Sequence, residues 1–409
     1  MAATPWMTSN QLVATLKRKV SAPTAQILFT DDDYLAFIND ELALSQVPSI
    51  LVHHEEFFVY SLDVPMRVNK SRYPIPDRAI GMKLRDLFWK DSQGSLYQMT
   101  QITEEDKAYF QRSIGNNQAI HKYYVEGNDI VLSPTPTGES AGSLVFVFFL
   151  RPNQLVPDER AAIISGFSKT ITVDNSTLVA GDTVTIDSQI FTAVSGSPAA
   201  NQFQIGGSSI ITATNLAQAI TTNGIAVGNN GTPSSSVVTV NYSDLSLTFA
   251  SSNSPALAVQ AGQGVVFTSI PSHIVASTYV DFLQTKPGHK IRSYDVLIPA
   301  GGVSGSTINF SSGTVPQDLI VGDYVCVANE CIIPQLPPDI HNGLAERAGA
   351  RVLAAMGDVS GLQIASAKIE EIDKNQGTLL DNRVDGSPRK IIAKNSLLHW
   401  GRFGTRRRF

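Results

Sequence analysis

The sequence predicts an α+β protein with a helical core and long C-terminal helices, a β-subdomain, an inserted β-rich module and an extended C-terminal arm. Three observations support this class. Apolar residues recur at helical spacing near both ends of the chain, short alternating runs broken by Pro and Gly fill the middle, and one long stretch lacks basic residues. The 409 residues suffice for two or three domains with cores of their own.

Residues 1–60 are predicted to form N-terminal helices. Thr8 to Asn10 offer an N-cap ahead of the first apolar residues at helical spacing. Asp31 and Asp32 cap a second helix, and their negative charge opposes the positive end of its dipole. The helical pattern continues towards Val59.

Residues 61–167 are predicted to be the first part of the β-subdomain. A capping-box pattern predicts a short helix at Thr103–Phe110, and Glu126–Asp129 predicts a hairpin turn. The predicted strands alternate apolar and polar residues between Pro and Gly, and they are Leu62–Val68, Gly81–Trp89, Leu96–Ile102, Lys122–Val125, Ile130–Ser133 and Leu144–Leu150.

Residues 168–270 are predicted to be an inserted β-rich module with one short helix. No Lys or Arg occurs between Lys169 and Lys286, which marks a change of composition. The pattern at 181–194 predicts a hairpin, ATNLAQAITT at 213–222 predicts the helix, and 237–251 predicts a second hairpin that turns at Asn241–Asp244.

Residues 271–335 are predicted to complete the same β-subdomain, because an insertion is tolerated where both its ends leave one surface turn. The predicted strands are Lys290–Ile298, Thr307–Phe310 and Asp323–Val327. Cys326 and Cys331 are predicted to lie in a tight hairpin as reduced thiols, and a cross-strand disulfide remains the alternative.

Residues 336–386 are predicted to form the C-terminal helices. Two runs of apolar residues at helical spacing are separated by Gly357-Asp358, which predicts a helical hairpin or a kinked helix. Asp381–Gly386 has a calcium-loop appearance, but Arg383 occupies a ligand position and no Glu closes the loop. We expect a helix end there, with Gly386 in a turn.

Residues 387–409 are predicted to be an extended basic and aromatic arm. This segment contains seven Lys or Arg and no Asp or Glu, so its charges repel and it has little apolar surface to bury. It therefore requires a partner, and the function is predicted to be assembly rather than chemistry. Trp400, Phe403 and Phe409 could stack on nucleic acid or fill apolar pockets of a protein, and composition leaves both open.

Two motifs suggest chemistry that their context opposes. Gly138–Gly142 matches the G-x-S-x-G nucleophile elbow around Ser140, but a β-strand pattern follows where the elbow needs a helix. His53–Glu56 looks like a metal cluster, yet neighbours on a helix point to different faces, so at most His53 and Glu56 could share an ion. We therefore predict no enzyme activity, no cofactor and no metal. The longest apolar run, Leu144–Leu150, is too short to span a membrane, and no secretion signal is visible.

Several segments together resemble the head-to-tail adaptor, or connector, proteins of tailed bacteriophages. The resemblance covers about 1–165 and 275–409, and its motifs are patterns of hydrophobic residues, Gly and Pro. Four stretches carry it: RYPIPDRAIGMKLRDLFWKDSQGSLYQM, YYVEGNDIVLSPTPTGESAGSLVFVFFLRPNQLV, LPPDIHNGLAERAGARVLAAMGD and NRVDGSPRKI. The module is separately similar to a small β-rich domain that recurs in phage virion proteins, at Gly181–Ile186, Phe191–Ala193, Phe203–Gly206 and Thr214–Ile220. Minimal adaptors lack such an insertion.

The resemblance implies a structural virion protein, assembled in the host cytoplasm and located at the head–tail junction. It implies a homo-oligomeric ring of twelve copies between the portal protein and a tail or next ring protein, with double-stranded DNA passing through without sequence-specific binding. The arm is expected to dock on the portal, and the acidic residues Glu370, Glu371 and Asp373 are expected to face the channel. The arm residues expected to bind are Arg389, Lys390, Lys394, Trp400, Arg402, Phe403, Arg406, Arg407, Arg408 and Phe409.

Three alternatives to the ring remain open. A tail or baseplate protein would be recognised by copy number, because an adaptor should co-sediment with portal in equal amounts. An esterase built on Ser140 would react with a fluorophosphonate. A DNA-binding accessory protein would show a salt-dependent affinity for DNA.

Overall fold

The computed structural model describes residues 6–21, 28–103, 105–106, 122–136, 142–225, 227, 235–243, 245–250, 255–286 and 288–380. Helices account for 28% of the described residues and strands for 35%, which confirms the predicted α+β class. The predicted short helix Thr103–Phe110 lies largely outside the described residues, as do the loop Asp381–Gly386 and the arm.

Helices and strands are numbered here in chain order. The α-helices are α1 (Ser9–Lys19), α2 (Asp31–Glu41), α3 (Val47–His53), α4 (Ser209–Thr222), α5 (His341–Met356) and α6 (Val359–Leu380). The strands are β1 (Val59–Pro65), β2 (Arg72–Pro74), β3 (Ala79–Asp91), β4 (Leu96–Gln98), β5 (Lys122–Glu126), β6 (Asp129–Ser133), β7 (Gly142–Leu150), β8 (Gln154–Leu155), β9 (Ala162–Val173), β10 (Thr183–Ile186), β11 (Gln189–Val194), β12 (Gln202–Gln204), β13 (Val237–Tyr242), β14 (Phe249–Ala250), β15 (Leu257–Val259), β16 (Gln263–Phe267), β17 (Tyr279–Gln284), β18 (Lys290–Leu297), β19 (Val303–Ser304), β20 (Thr307–Phe310), β21 (Tyr324–Val327) and β22 (Glu330–Cys331).

The chain forms two compact units, each made from separate segments. The larger unit comprises Met1–Glu41 and Pro152–Ala365, and the smaller unit comprises Leu42–Arg151 and Ser366–Phe409. This division at position 152 differs from the predicted subdomain boundary at 167. The cause lies in strand pairing: β8 and β9 pair with strands of 263–331, whereas the described strands β1–β7 pair among themselves.

The predicted helices of residues 8–60 are present. Thr8 caps α1 in a reciprocal capping box with Gln11, and the first turn of α2 is acidic. The helical path continues after α2 as a π-helical turn at Leu42–Gln46, then as α3, and then as a 3₁₀ turn at Glu55–Phe58.

The larger unit is built on a nine-stranded antiparallel sheet. Its strands run in the order β18-β17-β21-β9-β16-β20-β19, and β13 and β15 also pair with β9. One hydrophobic cluster, here called the sheet cluster, includes Ile164, Phe167, Val280, Phe282 and Phe310. α1 and α2 pack against α5 in the same unit.

A second hydrophobic cluster, here called the module cluster, lies within residues 171–259 of the same unit. The predicted hairpin at 181–194 is confirmed as β10 and β11, whose turn residues Asp187 and Ser188 have positive φ angles of 49° and 65°. The predicted helix is also present: α4 begins four residues before position 213 and is capped by Ser208.

The second predicted hairpin, at 237–251, is wrong. β13 pairs with β9, and β14 pairs with β10, so the two strands do not form a hairpin with each other. β9 extends past its pairing with β16, and this extension carries Ile171 and Val173, which need apolar cover. Pairing with β9 buries Val238 and Val240 in the module cluster, and this tertiary contact overrides the local hairpin pattern.

The smaller unit contains two antiparallel sheets, β1-β7-β3-β4 and β2-β6-β5. All six predicted strands of this region overlap observed ones, and the predicted turn at Glu126–Asp129 joins β5 to β6. β1 begins three residues before Leu62 and ends at Pro65, a residue without the N–H that strand pairing needs. Leu144, Phe146 and Phe148 of β7 are fully buried.

The predicted interruption at Gly357-Asp358 is confirmed. α5 ends at Met356, and Gly357 adopts the left-handed conformation with a φ of 75°, which suits glycine. Asp358 then caps α6, because its Oδ1 accepts the Gly361 N–H at 2.9 Å. This hydrogen bond also lowers the pKa of the Asp358 carboxyl.

Candidate functional site

The acidic residues expected to face a channel lie on α6. Glu370, Glu371 and Asp373 are all exposed. Glu370 forms an exposed ion pair with Lys374 at 3.8 Å, one helical turn away. These positions make the three carboxylates accessible to solvent, and their role in DNA passage stays a prediction. The portal-binding residues predicted in the arm, Arg389 to Phe409, lie outside the described residues.

α6 also presents apolar side chains to solvent. Val359 is 65% exposed and Ile364 is 63% exposed, although neither can hydrogen-bond with water. Leu362, Ile369 and Ile372 are half-buried. Single exposed apolar side chains are common on protein surfaces, so a partner-binding role for these residues stays a prediction.

The residues around Ser140 do not form a nucleophile elbow. Ser140 itself lies outside the described residues, but the chain that follows is strand β7, paired antiparallel with β1 and β3. Gly142 begins β7 against β3, where a Cβ atom would overlap the carbonyl oxygen of Lys90. The last glycine of the motif therefore has a packing role.

The His53–Glu56 segment is a helix end. α3 ends at His53, and His54 is its C-cap. Glu56 forms an ion pair with Arg85, and this hydrogen bond lowers the pKa of the Glu56 carboxyl. Within the part of the chain that the structure describes, no group of three His, Cys, Asp or Glu side chains could hold a metal ion.

Cys326 and Cys331 are both buried as free thiols. Burial raises the pKa of each thiol well above its usual range, which keeps them protonated and unreactive. The predicted two-stranded hairpin is wrong, because β22 pairs in parallel with β8 rather than with β21. Asn153 explains this arrangement: its side-chain amide donates to the carbonyl oxygen of Glu330 at 2.9 Å.

Sequence reasoning missed a buried polar network beside these thiols. Asp281 is fully buried on β17 and accepts hydrogen bonds from the Asn153 side-chain amide at 2.7 Å and the Asn329 N–H at 3.1 Å. Its other oxygen accepts the Asp295 N–H at 2.9 Å. Gln335 accepts the Asn153 N–H at 2.8 Å. An Asp in the strand pattern YVDFLQ was the available signal, since a buried carboxylate requires several donors.

Two histidines beside Trp6 were also missed. The Trp6 ring lies edge-on to His289 at 4.5 Å and to His341 at 5.3 Å between ring centroids. Burial lowers the pKa of each imidazole to about 4, so both are neutral at physiological pH. The segment before α1 is therefore held against the start of α5 by neutral rings.

One helical run, Asp31–His53, is long and apolar enough to cross a membrane by length and composition alone. It spans 23 residues, and its most apolar window has a mean hydropathy of 1.2. Leu35 and Ile38 are buried within the larger unit, as in the core helix of a soluble protein. Length and hydropathy therefore do not assign this helix to a membrane.

No protein-family model matches the chain, and no curated protein matches it. The residues and their geometry are therefore the basis for the functional conclusion.

Proposed function

We propose that this chain is a structural protein of a tailed-phage virion, a ring subunit that joins the portal to the tail and continues the DNA channel. The observation that carries the proposal is the end of the chain. α6 leaves Val359 and Ile364 in solvent and presents acidic residues, and it is followed by an arm with seven basic and no acidic residues. Such a combination is suited to assembly, because apolar and basic groups both gain from a partner surface.

In this proposal the helical core and the long C-terminal helices form the centre of the ring. Apolar side chains on α6 pack against the neighbouring copy, and the carboxylates of Glu370, Glu371 and Asp373 line the channel. Negative charge repels DNA phosphates, so the genome slides rather than adheres. A ring closes only when successive head-to-tail contacts are related by a closing rotation, and twelve copies is the number that the adaptor resemblance implies.

The arm docks on the portal. Its aromatic residues Trp400, Phe403 and Phe409 fill pockets, while Arg402 and Arg406–Arg408 pair with portal carboxylates. Because every subunit contributes one arm, the contacts of a ring add as avidity. The virion head–tail junction is the location that follows, and the tail or next ring protein binds the other side.

Deletion of residues 387–409 tests the proposal. The truncated protein should fold and form rings but should fail to co-sediment with portal rings, and DNA-filled heads incubated with it should leak. The full chain should co-sediment with portal in equal copy number. A truncated protein that caps heads with the affinity of the full chain would exclude the arm as the portal contact.

Copy number separates this proposal from its main alternative. A tail or baseplate protein would be recovered with tails rather than portal, at a copy number unrelated to that of the portal. Binding of the isolated protein to DNA with a steep salt dependence would instead favour a DNA-binding accessory protein.

A further inference from the structure

Strand β9 carries a lysine in a row of core-facing positions. Because side chains alternate along a strand, Phe167, Lys169, Ile171 and Val173 share one face. Phe167 belongs to the sheet cluster, whereas Ile171 and Val173 belong to the module cluster. Lys169 therefore occupies the seam between two hydrophobic clusters of the larger unit, where an apolar residue would be expected.

Two adjoining cavities open at this seam. The smaller has a volume of 330 Å³ and is lined by Lys169 together with Gln263 and Ser312. The larger has a volume of 690 Å³ and is lined by Gln189 among others. Tyr242 and Leu247 line both cavities, so the two lie side by side, and we call the pair the seam groove. Volumes of this size accommodate ligands of a few rings.

The ammonium group of Lys169 has no carboxylate partner among the described residues. Lys169 is half-buried, and desolvation lowers the pKa of its side chain. It is also the only Lys or Arg between positions 168 and 286. A half-buried cation without an ion-pair partner is stabilised by an anion that enters the same cavity.

The larger cavity provides a second polar group that needs a partner. The side-chain oxygen of Gln189 is buried and receives no hydrogen bond from the residues that the structure describes. An amide oxygen can only accept, so the missing partner must carry an O–H or N–H. Asn223, Asn241, Ser243 and Ser246 line the same cavity, as does one acidic residue, Asp187.

We propose that the seam groove binds an acidic saccharide, whose carboxylate pairs with Lys169 and whose hydroxyl donates to the Gln189 oxygen. A sugar acid supplies both groups in one rigid ligand, and its other hydroxyls both donate to and accept from the amides and hydroxyls of the lining. A nucleic acid is disfavoured because Lys169 is the one cation among the described residues that line the groove. This inference does not depend on the proposed ring.

Titration of the full-length protein with trigalacturonic acid by calorimetry tests the inference, with neutral maltotriose as the matched ligand. We expect the acidic trisaccharide to bind at least tenfold more tightly than the neutral one. Lys169→Gln should lower the affinity for trigalacturonic acid at least tenfold. The affinity of Lys169→Arg should stay within about threefold of that of the wild type, because both Lys and Arg pair with a carboxylate. Gln189→Leu should weaken acidic binding while the lysine is intact.

Lys286→Gln is the matched control, since it removes an exposed positive charge of the same unit outside the groove. Equal losses of affinity in Lys169→Gln and Lys286→Gln would mean that only net charge matters, and would overturn the proposal. So would equal binding of both trisaccharides, no binding of either, or comparable binding of a triglutamate peptide. Circular dichroism of each variant confirms that the fold is retained.

Discussion

Met7 donates its backbone N–H to Nδ1 of His341 at 3.3 Å, across 334 positions of sequence. This contact fixes the tautomer, because Nδ1 must be unprotonated to accept. The proton is therefore on Nε2, which donates to the carbonyl oxygen of Leu336 at 3.2 Å. A neutral imidazole thus connects the segment before α1 to the segment before α5, and a second proton would break the bond to Met7.

The stability of the larger unit should fall on acidification. Burial lowers the pKa of His341 from 6.5 to about 4, so between these values the unfolded chain binds more protons than the folded one. The stability contributed by the neutral His341 imidazole is fully present well above pH 6.5, and it is lost as the pH falls towards 4. His341 alone should account for a loss on the order of 2–3 kcal/mol. Urea unfolding at pH 8, 6 and 4.5 measures this slope.

His341→Gln serves as the control for that slope. The variant cannot gain a proton at this position, so its stability should depend less on pH, while His289 retains part of the effect because its pKa is also lowered by burial. An unchanged slope in His341→Gln would contradict the assignment. The comparison at pH 8 separates the loss of packing from the loss of titration.

Arg351 should stabilise the contact between α5 and α2. It pairs with Glu41, whose side chain is only 9% exposed, and lies 3.8 Å from Asp40. Arg351→Met leaves the Glu41 carboxylate buried without its cation and should destabilise the protein by about 3 kcal/mol. Lys374→Met is the matched control, because Lys374 and Glu370 are each 77% exposed, and it should cost less than about 0.5 kcal/mol.

Denaturant unfolding of both variants measures the difference. Arg351→Met combined with Glu41→Leu should recover most of the loss, because the unpaired carboxylate is then absent. Similar losses for Arg351→Met and Lys374→Met would contradict the role given to burial.

Local signals in the sequence were sufficient for the elements that depend on neighbouring residues. Thr8 and Gln11 form a capping box within one turn, and Gly357 ends α5 through its own conformational freedom. The β10–β11 hairpin needs only the turn at Asp187 and Ser188. The N-cap at Thr8, the end of α5 and the hairpin were predicted because their causes lie within a few residues, whereas the reciprocal hydrogen bond of Gln11 was not predicted.

Features that depend on distant partners were not predicted. β13 has the alternation of a hairpin strand, but the part of β9 that continues past its pairing with β16 offers it a longer partner. His341 looks ordinary in sequence, because its partners Met7 and Leu336 are identified only by the fold. Asp281 stands out as a carboxylate in a strand pattern, but its donor Asn153 lies far away in sequence. Lys169 was noted only as the limit of a region without basic residues, since its place between two clusters follows from the fold.

The segment that forms the module cluster should be dispensable for folding if the deletion leaves the pairing of β9 with β16 intact. Thr170 and Gln260 already face each other, with the Gln260 N–H donating to the Thr170 carbonyl oxygen at 2.8 Å. Replacing residues 171–259 by a short Gly/Ser turn should therefore leave a soluble, folded protein, because the removed segment contains the whole module cluster. Removing 168–270 should instead produce aggregates, since it deletes β16, which pairs with β9 and β20.

Size-exclusion chromatography and circular dichroism of the two deletions provide the measurement. Aggregation of both would mean that the module cluster supports the rest of the unit, contrary to its prediction as an insertion. Retention of the fold by both would mean that β16 is not required for the sheet cluster.

Reversing the charge of the acidic turn of α6 should slow DNA passage. Glu370→Lys, Glu371→Lys and Asp373→Lys together would attract phosphates where the native chain repels them. DNA ejection from assembled particles should slow, and the effect should weaken at high salt. Asp32→Lys, a reversal at an exposed position of α2, is the control and should eject normally. Normal DNA ejection by the triple variant would mean that these residues do not line the channel.

The arm should make two kinds of contact with the portal, which differ in how they depend on salt concentration. Each buried aromatic anchor at Trp400, Phe403 and Phe409 is expected to contribute about 2 kcal/mol, or roughly a 30-fold change in affinity for the portal, at any ionic strength. Arg406–Arg408→Ala should weaken binding mainly at low salt, because exposed ion pairs are screened once the Debye length falls below the separation of the charges. Affinity for immobilised portal rings should be measured from about 50 mM to 500 mM salt. When the logarithm of affinity is plotted against the logarithm of salt concentration, the wild type and an aromatic-to-Ala variant should give parallel lines. The line of the arginine variant should converge with that of the wild type at high salt. An arginine variant that stays equally weak at every salt concentration would mean that those ion pairs are buried. An aromatic variant with wild-type affinity would mean that the anchors lie elsewhere, and the orientation proposed for the subunit would be wrong.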